Sequence, residues 1–203
     1  KFLSNHYESA VSIHIPANSS GTFQSALTAS KAIPKFPIKV VDSYNASIGL
    51  GLIALSVAEA VKTEKNIDEI FSTVDKAVKN TSVFLGLETL DNVVKGGRIS
   101  KKVKKIANLF RLNPILSFDA SGALKAVGVT FGNNNKANKF RKFVEKKIPS
   151  NTAVRIGIAH AKMEEYAIRW ADDLKKIYGS SNVIIAEMGP ALAVHAGPGG
   201  VVF

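Results

Sequence analysis

The sequence contains no cysteine, which excludes disulfide bonds, zinc–thiolate sites and thiol nucleophiles. It also lacks an uncharged apolar run of about 18 residues, so we expect no integral membrane segment. The first residues, Lys1–His6, do not have the profile of a signal peptide. No His, Asp and Glu residues have a metal-ligand spacing such as His-Glu-x-x-His, so no metal is expected. Together these absences predict a cytoplasmic protein.

Acidic residues are scarce beside basic ones. The 203 residues include 27 Lys and Arg against 16 Asp and Glu, a formal net charge of +11. Such an excess is the electrostatic pattern of nucleic-acid binders. However, the basic residues are mostly lysines spread along the chain, and the aromatic residues are not interleaved with them as stacking platforms. We therefore expect no nucleic-acid partner.

The densest basic segment lies between Lys95 and Arg111. Its apolar residues recur with helical spacing: Val103, Ile106, Ala107 and Phe110. This pattern predicts an amphipathic helix over residues 100–110 with a lysine-rich outer face. That face is either simply solvated, which we favour, or a docking surface for an acidic partner.

An apolar fraction of 46% predicts a substantial core, and short β-branched runs alternate with longer helical stretches. The fold class is therefore α/β, with predicted strands over 10–15, 38–41, 113–118, 123–131, 153–159 and 182–188. Helices are predicted over 23–33, 48–62, 66–78, 100–110, 135–147 and 163–178, with a further helix ending at Gly96-Gly97.

Two α/β domains are expected, with the boundary near Asn80-Thr81. Residues 1–80 form the N-terminal domain and residues 81–203 the C-terminal domain. The turn Asp119-Ala120-Ser121-Gly122 predicts a hairpin in the second domain. Because a hairpin breaks the strand–helix alternation, this domain should contain a mixed sheet. The last, Gly-rich segment is expected to return to the domain junction.

Three segments combine small polar residues with glycine where a strand passes into a helix or loop: Ser19–Thr22, Ser47–Gly49 and His195–Gly200. The free N–H groups of a helix start favour a carboxylate or phosphate, and glycine lets the ligand approach the backbone. Each segment alone is a weak signal. For the Ser-Gly-Thr segment, the alternative is that it caps the helix and binds no ligand.

His195 is the most informative histidine because it lies in an apparent Gly/Pro-rich loop without hydrophobic periodicity. It could bind a ligand or simply hold a backbone hydrogen bond. A Ser20–His195 hydrolase pair lacks the Gly-x-Ser-x-Gly elbow and an orienting carboxylate. Walker and dinucleotide-binding motifs are also absent, so no cofactor is expected. An enzyme that uses Ser20 or His195 on a small acyl or phosphorylated substrate stays the alternative function.

Five motifs, taken in order, resemble the signature stretches of the DegV family. They run nearly end to end along the chain: Ser19–Ala26, Val41–Ser43 with Ser47–Gly51, Gly96–Ser100, Asn113–Leu116 and His195–Gly199. The ordered recurrence of all five is far more specific than any one motif.

This resemblance implies a bacterial protein of two α/β domains that binds a long-chain fatty acid non-covalently in a slot between them. The carrier itself would make and break no bonds. In some members it presents the bound acid to a separate, ATP-dependent fatty acid kinase.

The resemblance also assigns residues. Ser20 would bind the carboxylate with the N–H groups of Gly21 and Thr22, and His195 would belong to the same polar network. Arg98 would lie near the pocket mouth or a partner surface, as would Ser47, Ile48 and Gly49. The apolar side chains expected in the slot, or else in ordinary core, are Ile48, Leu52, Leu87 and Leu90.

Two departures from the family pattern are visible. Relatives usually begin with a further strand, helix and strand whose hydroxyl-rich loop also contacts the carboxylate, and nothing corresponding precedes Lys1. The N-terminal domain is therefore expected to lack that segment. Residues 129–136 contain no arginine, where many relatives have them.

Overall fold

The computed structural model describes residues 5–63, 66–132, 134–148, 153–178 and 183–203. The chain divides into two compact units. The first contains the chain up to Ser82 together with Phe118–Ala123, and the second contains Val83–Ser117 and Leu124–Phe203. The tip of the predicted hairpin thus groups with the first unit, which no sequence pattern indicates. The expected domain boundary near Asn80-Thr81 stays a prediction.

The first unit alternates strands and helices. Its elements are β1 (Ala10–His14), α1 (Thr22–Lys31), β2 (Ile38–Asp42), α2 (Ile48–Thr63) and α3 (Ile67–Asn80). β1 and β2 pair in parallel, with His14 opposite Asp42. A parallel pair requires a crossover connection, and α1 supplies it.

The core of the first unit lies where α2 and α3 meet the sheet. α2 buries Ile53, Val57 and Ala60, which the helical repeat places on one face. α3 contributes Val74, which is fully buried, and begins at a cap in which Asn66 Oδ1 accepts from Asp68 N at 2.8 Å. Burial of each such aliphatic side chain contributes about 1.5–3 kcal/mol. α1 buries no residue.

The second unit contains a mixed sheet with helices around it. Its elements are β3 (Leu85–Gly86), α4 (Asp91–Lys95), α5 (Lys101–Leu109), β4 (Leu112–Phe118), β5 (Leu124–Phe131), α6 (Lys136–Glu145), β6 (Ile156–His160), α7 (Glu164–Tyr178), β7 (Val183–Glu187), α8 (Pro190–Ala196) and β8 (Val201–Val202). Among the described residues the strand order is β5-β4-β3-β8-β6-β7. β6 and β7 are parallel, whereas β8 runs antiparallel to both β3 and β6.

Neighbouring residues of β4 serve opposite faces of this sheet. Ile115 belongs to a core cluster with Trp170 of α7 and Phe140 of α6. Leu116 belongs to a different cluster, with Val93 of α4 and Ala107 of α5. Because side chains alternate along a strand, this sheet is covered by helices on both faces. The expected α/β class with a mixed second sheet is confirmed.

Three short elements escaped the sequence analysis: β3, β8 and α8. Two-residue strands such as β3 and β8 are too short to show an alternation. α8 follows Gly189, has Pro190 in its first turn, and ends before Gly197, whose φ is +72°. Proline at the start and glycine after the end are helix signals that could have revealed it.

The basic helix forms as predicted, but its expected inward face is partly wrong. Only Ala107 of α5 is buried, while Ile106 and the following Phe110 are 55% and 63% exposed. The helical period identified the element but not the side that meets the sheet. None of the helices in the described ranges is long and apolar enough to cross a membrane.

Candidate functional site

Two of the predicted segments meet at one edge of the first unit's sheet. Because β1 and β2 are parallel, the loops that follow them leave from the same edge. Asp42 ties these loops together: its Oδ2 accepts from Ala17 N at 3.0 Å and its Oδ1 from Tyr44 N at 2.9 Å. The Ser20 segment (Ser19–Thr22) and the Ser47 segment (Ser47–Gly49) are thereby brought to a common edge. In the sequence, Asp42 was identified only as part of the motif Val41–Ser43.

The Ser20 segment forms a tight turn before α1. The N–H groups of Ser19 and Ser20 both donate to Pro16 O, at 2.8 and 3.0 Å. Gly21 is the N-cap residue of α1 and receives no side-chain cap. Ser20 Oγ instead accepts from Thr22 N at 3.3 Å, so the helix-cap interpretation is correct for its oxygen.

Two donors of this segment have no acceptor in the described part of the chain. Among the described residues, the hydroxyl group of Ser20 donates to none, and neither does the N–H group of Gly21. Ser20 is half-buried, while Gly21 and Thr22 are exposed. The segment thus offers hydrogen-bond donors at a helix start without internal partners, an arrangement suited to an anion.

The turn at the tip of the hairpin, Asp119–Gly122, also contacts the Ser20 segment. Asn18 Nδ2 donates to Ser121 O, and Ser19 Oγ donates to Gly122 O at 3.3 Å. Gly122 has a φ of +76°, and a Cβ there would lie 2.9 Å from Pro16 Cβ, so only glycine fits. These contacts fix the residues on the N-terminal side of Ser20.

The Ser47 segment begins α2 from a strained loop. Tyr44 and Ser47 both have positive φ values, +49° and +55°, which non-glycine residues rarely adopt. Asn45 holds the loop, since its Nδ2 donates to Ser43 O at 3.0 Å and to Thr81 O at 3.3 Å. Its Oδ1 is buried without a hydrogen-bond partner.

The residues that follow this loop divide into core and surface. Gly49 is buried, whereas Ile48 and Leu52 are half-buried. Both lie outside the cluster formed by Val41, Val57 and Val74. Ile48 and Leu52 are four residues apart and therefore share a face of α2.

His195 lies in the last turn of α8, so its expected placement in a loop is wrong. The half-buried ring packs against Gly96, where a Cβ would lie 2.7 Å from His195 Cε1. The exposed Arg98 donates from Nη1 to Gly96 O. The second unit thus brings His195 and Arg98 together around the end of α4.

The imidazole of His195 has no hydrogen-bond partner among the described residues, unlike two other histidines. His14 Nε2 shares a hydrogen bond with Ser12 Oγ at 2.7 Å. His160 is buried at the end of β6, and its Nδ1 accepts from Met163 N at 3.4 Å. These two rings are hydrogen-bonded within the protein, and the ring of His195 differs from them in this respect.

The remaining slot candidates belong to the second unit. Leu90 is buried in the cluster with Val93 and Leu116, which makes it ordinary core. Leu87 lines a cavity of about 40 Å³ together with Phe140 and other apolar side chains.

The first residue of α4, Asp91, has a carboxyl group with a lowered pKa. The Lys104 ammonium and then the Thr89 hydroxyl hold the pKa of Asp91 below its usual value by hydrogen bonding to the carboxylate. Thr89 Oγ1 lies 2.6 Å from Asp91 Oδ2. Lys104 belongs to α5, so this pair links α5 to the helix against which His195 packs.

The described residues show no arrangement for nucleophilic catalysis at Ser20. No base of the described ranges accepts a hydrogen bond from its hydroxyl group, and the one hydrogen bond found there for its Oγ comes from a backbone N–H group. Nucleophilic catalysis by serine requires an adjacent base within hydrogen-bond reach. Among the same residues, no three His, Asp or Glu side chains are placed to hold a metal ion.

Comparison with known proteins gives a consistent family. The family model described as "Uncharacterised protein, DegV family" matches residues 1–203. A DegV domain-containing protein of Staphylococcus aureus is 31% identical over 195 residues, which span 94% of this chain and 68% of that protein. A fatty acid-binding protein of Thermotoga maritima is 27% identical over 205 residues, covering 100% of this chain and 70% of that protein.

A solved structure supports the same assignment. The DegV family protein of Eubacterium eligens, loaded with heptadecanoic acid, has a TM-score of 0.83 to this chain. It is 25% identical, and the match covers 96% of this chain and 71% of that protein. The five ordered motifs, the mixed α/β fold and these matches agree: the chain belongs to the DegV family.

Proposed function

We propose that this chain binds a long-chain fatty acid non-covalently and takes its carboxylate on Ser20, Gly21 and Thr22, with His195 as a further donor. The observation that carries the proposal is the set of donors without partners at two of the family motifs. The Ser20 hydroxyl, the Gly21 N–H group and the His195 ring all lack acceptors among the described residues.

The relatives support the class of ligand. One is a fatty acid-binding protein and another holds heptadecanoic acid. A carboxylate with an unbranched tail requires one anion site and an apolar surface. Half-buried Ile48 and Leu52, which are not part of the cluster around Val41, Val57 and Val74, offer apolar side chains beside the Ser47 segment. The course of the tail in a slot between the two domains stays a prediction.

Tail and head group contribute to the free energy of binding through different interactions. Burial of a methylene group is worth about 0.8 kcal/mol, so about ten buried methylenes contribute about 8 kcal/mol. Each hydrogen bond to the charged carboxylate contributes about 1.5–3 kcal/mol. Tail and head group thus contribute free energies of similar size, and Ser20 and His195 fix the position of the carboxylate.

The test is the affinity of delipidated protein for a long-chain fatty acid in variants of Ser20. We expect Ser20→Ala to raise the Kd about tenfold to a hundredfold, because one charge-assisted hydrogen bond is lost. Ser30→Ala is the matched control: Ser30 is also half-buried, lies at the other end of α1, and donates only to Leu27 O. This control should bind like the parent protein.

Equal affinity of Ser20→Ala and Ser30→Ala would overturn the role of Ser20. Turnover of a simple ester or phosphoester that disappears in Ser20→Ala would instead favour the enzymatic alternative. Presentation of the bound acid to a separate fatty acid kinase, with Arg98 near the partner surface, stays a prediction that rests on the family resemblance.

A further inference from the structure

Gly96 stands in a backbone conformation that does not require glycine. It ends α4 with φ −69° and ψ −11°, the right-handed helical region open to every L-residue. In that region alanine is favoured over glycine, because glycine loses more backbone entropy on folding. The reason for glycine at this position must therefore lie in its surroundings.

Those surroundings are the imidazole of His195. A Cβ on Gly96 would lie 2.7 Å from Cε1 of the ring and closer still to Nδ1. Such distances are far inside van der Waals contact. The ring rests directly on the bare Cα, so the absence of a side chain at residue 96 is what gives the imidazole its place.

The same short segment holds two further groups. The Gly96 carbonyl accepts from Arg98 Nη1, and the Gly96 N–H group donates to Asn92 O at 2.8 Å. The side chain of Asn92 lies against Gly197, where a Cβ would overlap its Nδ2. The end of α8 is therefore seated on α4 at two points, one at His195 and one at Gly197.

We propose that Gly96 is a positioning residue for His195. The imidazole packs against the bare Cα of Gly96, and the Gly96 carbonyl accepts a hydrogen bond from Arg98, so that both side chains are fixed relative to one another. This inference rests on the proposed function, in which His195 is a donor to the fatty-acid carboxylate. Gly96 is assigned no contact with the fatty acid. It acts by fixing the ring, which would otherwise adopt other rotamers and lose its orientation.

The test compares two glycine-to-alanine variants. Gly96→Ala forces the ring aside, whereas Gly189→Ala adds the same methyl group at the other end of α8, where nothing lies within 4 Å. The first readout is the NMR resonances of the His195 ring in ligand-free protein. We expect them to shift in Gly96→Ala and to stay in place in Gly189→Ala. Unshifted resonances in Gly96→Ala would overturn the inference.

The second readout is a double-mutant cycle on fatty-acid affinity. Gly96→Ala should weaken binding about tenfold in the parent protein, the loss of one charge-assisted hydrogen bond. It should have no further effect in the His195→Ala background. An undiminished effect of Gly96→Ala in that background would contradict the inference, because the loss would not run through the ring.

The two readouts keep the inference and the proposed function apart. If the parent protein binds no fatty acid but the ring resonances shift in Gly96→Ala, the proposed function is refuted and the effect of Gly96 on the position of the His195 ring is supported. If Gly96→Ala does not fold, recovery of folding in the double variant Gly96→Ala/His195→Ala would support the clash as the cause. Failure of the double variant to fold would count against it.

Discussion

Hydrogen-bond partners divide the polar side chains of this chain by role. Ser43 is fully buried, and its Oγ lies 2.6 Å from His14 O, so it serves the loop in which it stands. Ser20 is also a serine and follows the neighbouring strand β1, yet its hydroxyl group has no acceptor among the described residues. A donor left without a partner in a compact unit is expected to find one in a ligand or in water.

The residues at the motifs were predictable, but their neighbours were not. Ser20 and His195 stand in stretches that the family pattern identifies from sequence alone. The contact of His195 with Gly96 could not be predicted, because about 100 residues separate them and only tertiary packing brings them together. Gly96 belongs to the motif Gly96–Ser100, but nothing in that motif indicates that its missing side chain makes room for the ring.

A prediction at the scale of single residues concerns Asn45 and the loop that it stabilises. Asn45→Ala should lower the free energy of unfolding by about 1–3 kcal/mol, because the carbonyls of Ser43 and Thr81 lose the donor they share. Urea unfolding measures this change. Asn108→Ala, on the exposed side of α5, is the control and should change stability by less than about 0.5 kcal/mol. Equal stabilities of the two variants would mean that Asn45 does not hold its loop.

At the scale of elements, α5 shows what a hydrophobic period can and cannot establish. Its spacing correctly predicts a helix, and the structure places that helix at Lys101–Leu109. The same spacing put Ile106 with Ala107 on the inner face, whereas only Ala107 is buried. Rotation of a helix about its axis depends on the partner surface, which a single sequence does not contain.

Stability measurements distinguish the observed face of α5 from the periodic one. Ile106→Ala should cost less than about 0.5 kcal/mol because Ile106 is 55% exposed. Leu116→Ala, at a fully buried position of β4 in the cluster that α5 covers, should cost about 2–5 kcal/mol. A loss at Ile106 as large as that at Leu116 would show that α5 is turned the other way.

The link between α4 and α5 is expected to depend on pH. The Lys104 ammonium and the Thr89 hydroxyl lower the pKa of Asp91 in the folded protein. A carboxyl group with a lowered folded pKa contributes stability above its unfolded pKa and loses it as the pH falls through the folded pKa. This contribution should therefore begin to decrease as the pH falls below about 4 and be lost below the lowered pKa of Asp91.

NMR titration of the Asp91 carboxyl carbon measures that dependence. We expect a midpoint below 3.8 in the parent protein and a rise toward 3.8 in Lys104→Ala. Lys105→Ala removes a neighbouring lysine that takes no part in the shift and should leave the midpoint unchanged. A midpoint that stays put in Lys104→Ala would contradict the assigned cause.

At the scale of the whole molecule, the α/β class, the mixed second sheet and the family were all predictable. Alternating strand and helix patterns carry the class, and the hairpin over 113–131 signals a mixed sheet. The grouping of Phe118–Ala123 with the first unit was not predictable. It depends on contacts of Ser121 and Gly122 with Asn18 and Ser19, which are separated in sequence by about 100 residues.

The proposal that this protein binds a long-chain fatty acid non-covalently is tested most directly by lipid mass spectrometry. The purified parent protein and Ser20→Ala are extracted with solvent, and the released lipids are quantified against protein. We expect about one long-chain fatty acid per folded parent chain, less in Ser20→Ala, and unmodified acid in both. Folded parent protein that holds no fatty acid, and takes up none when it is supplied, would contradict the account.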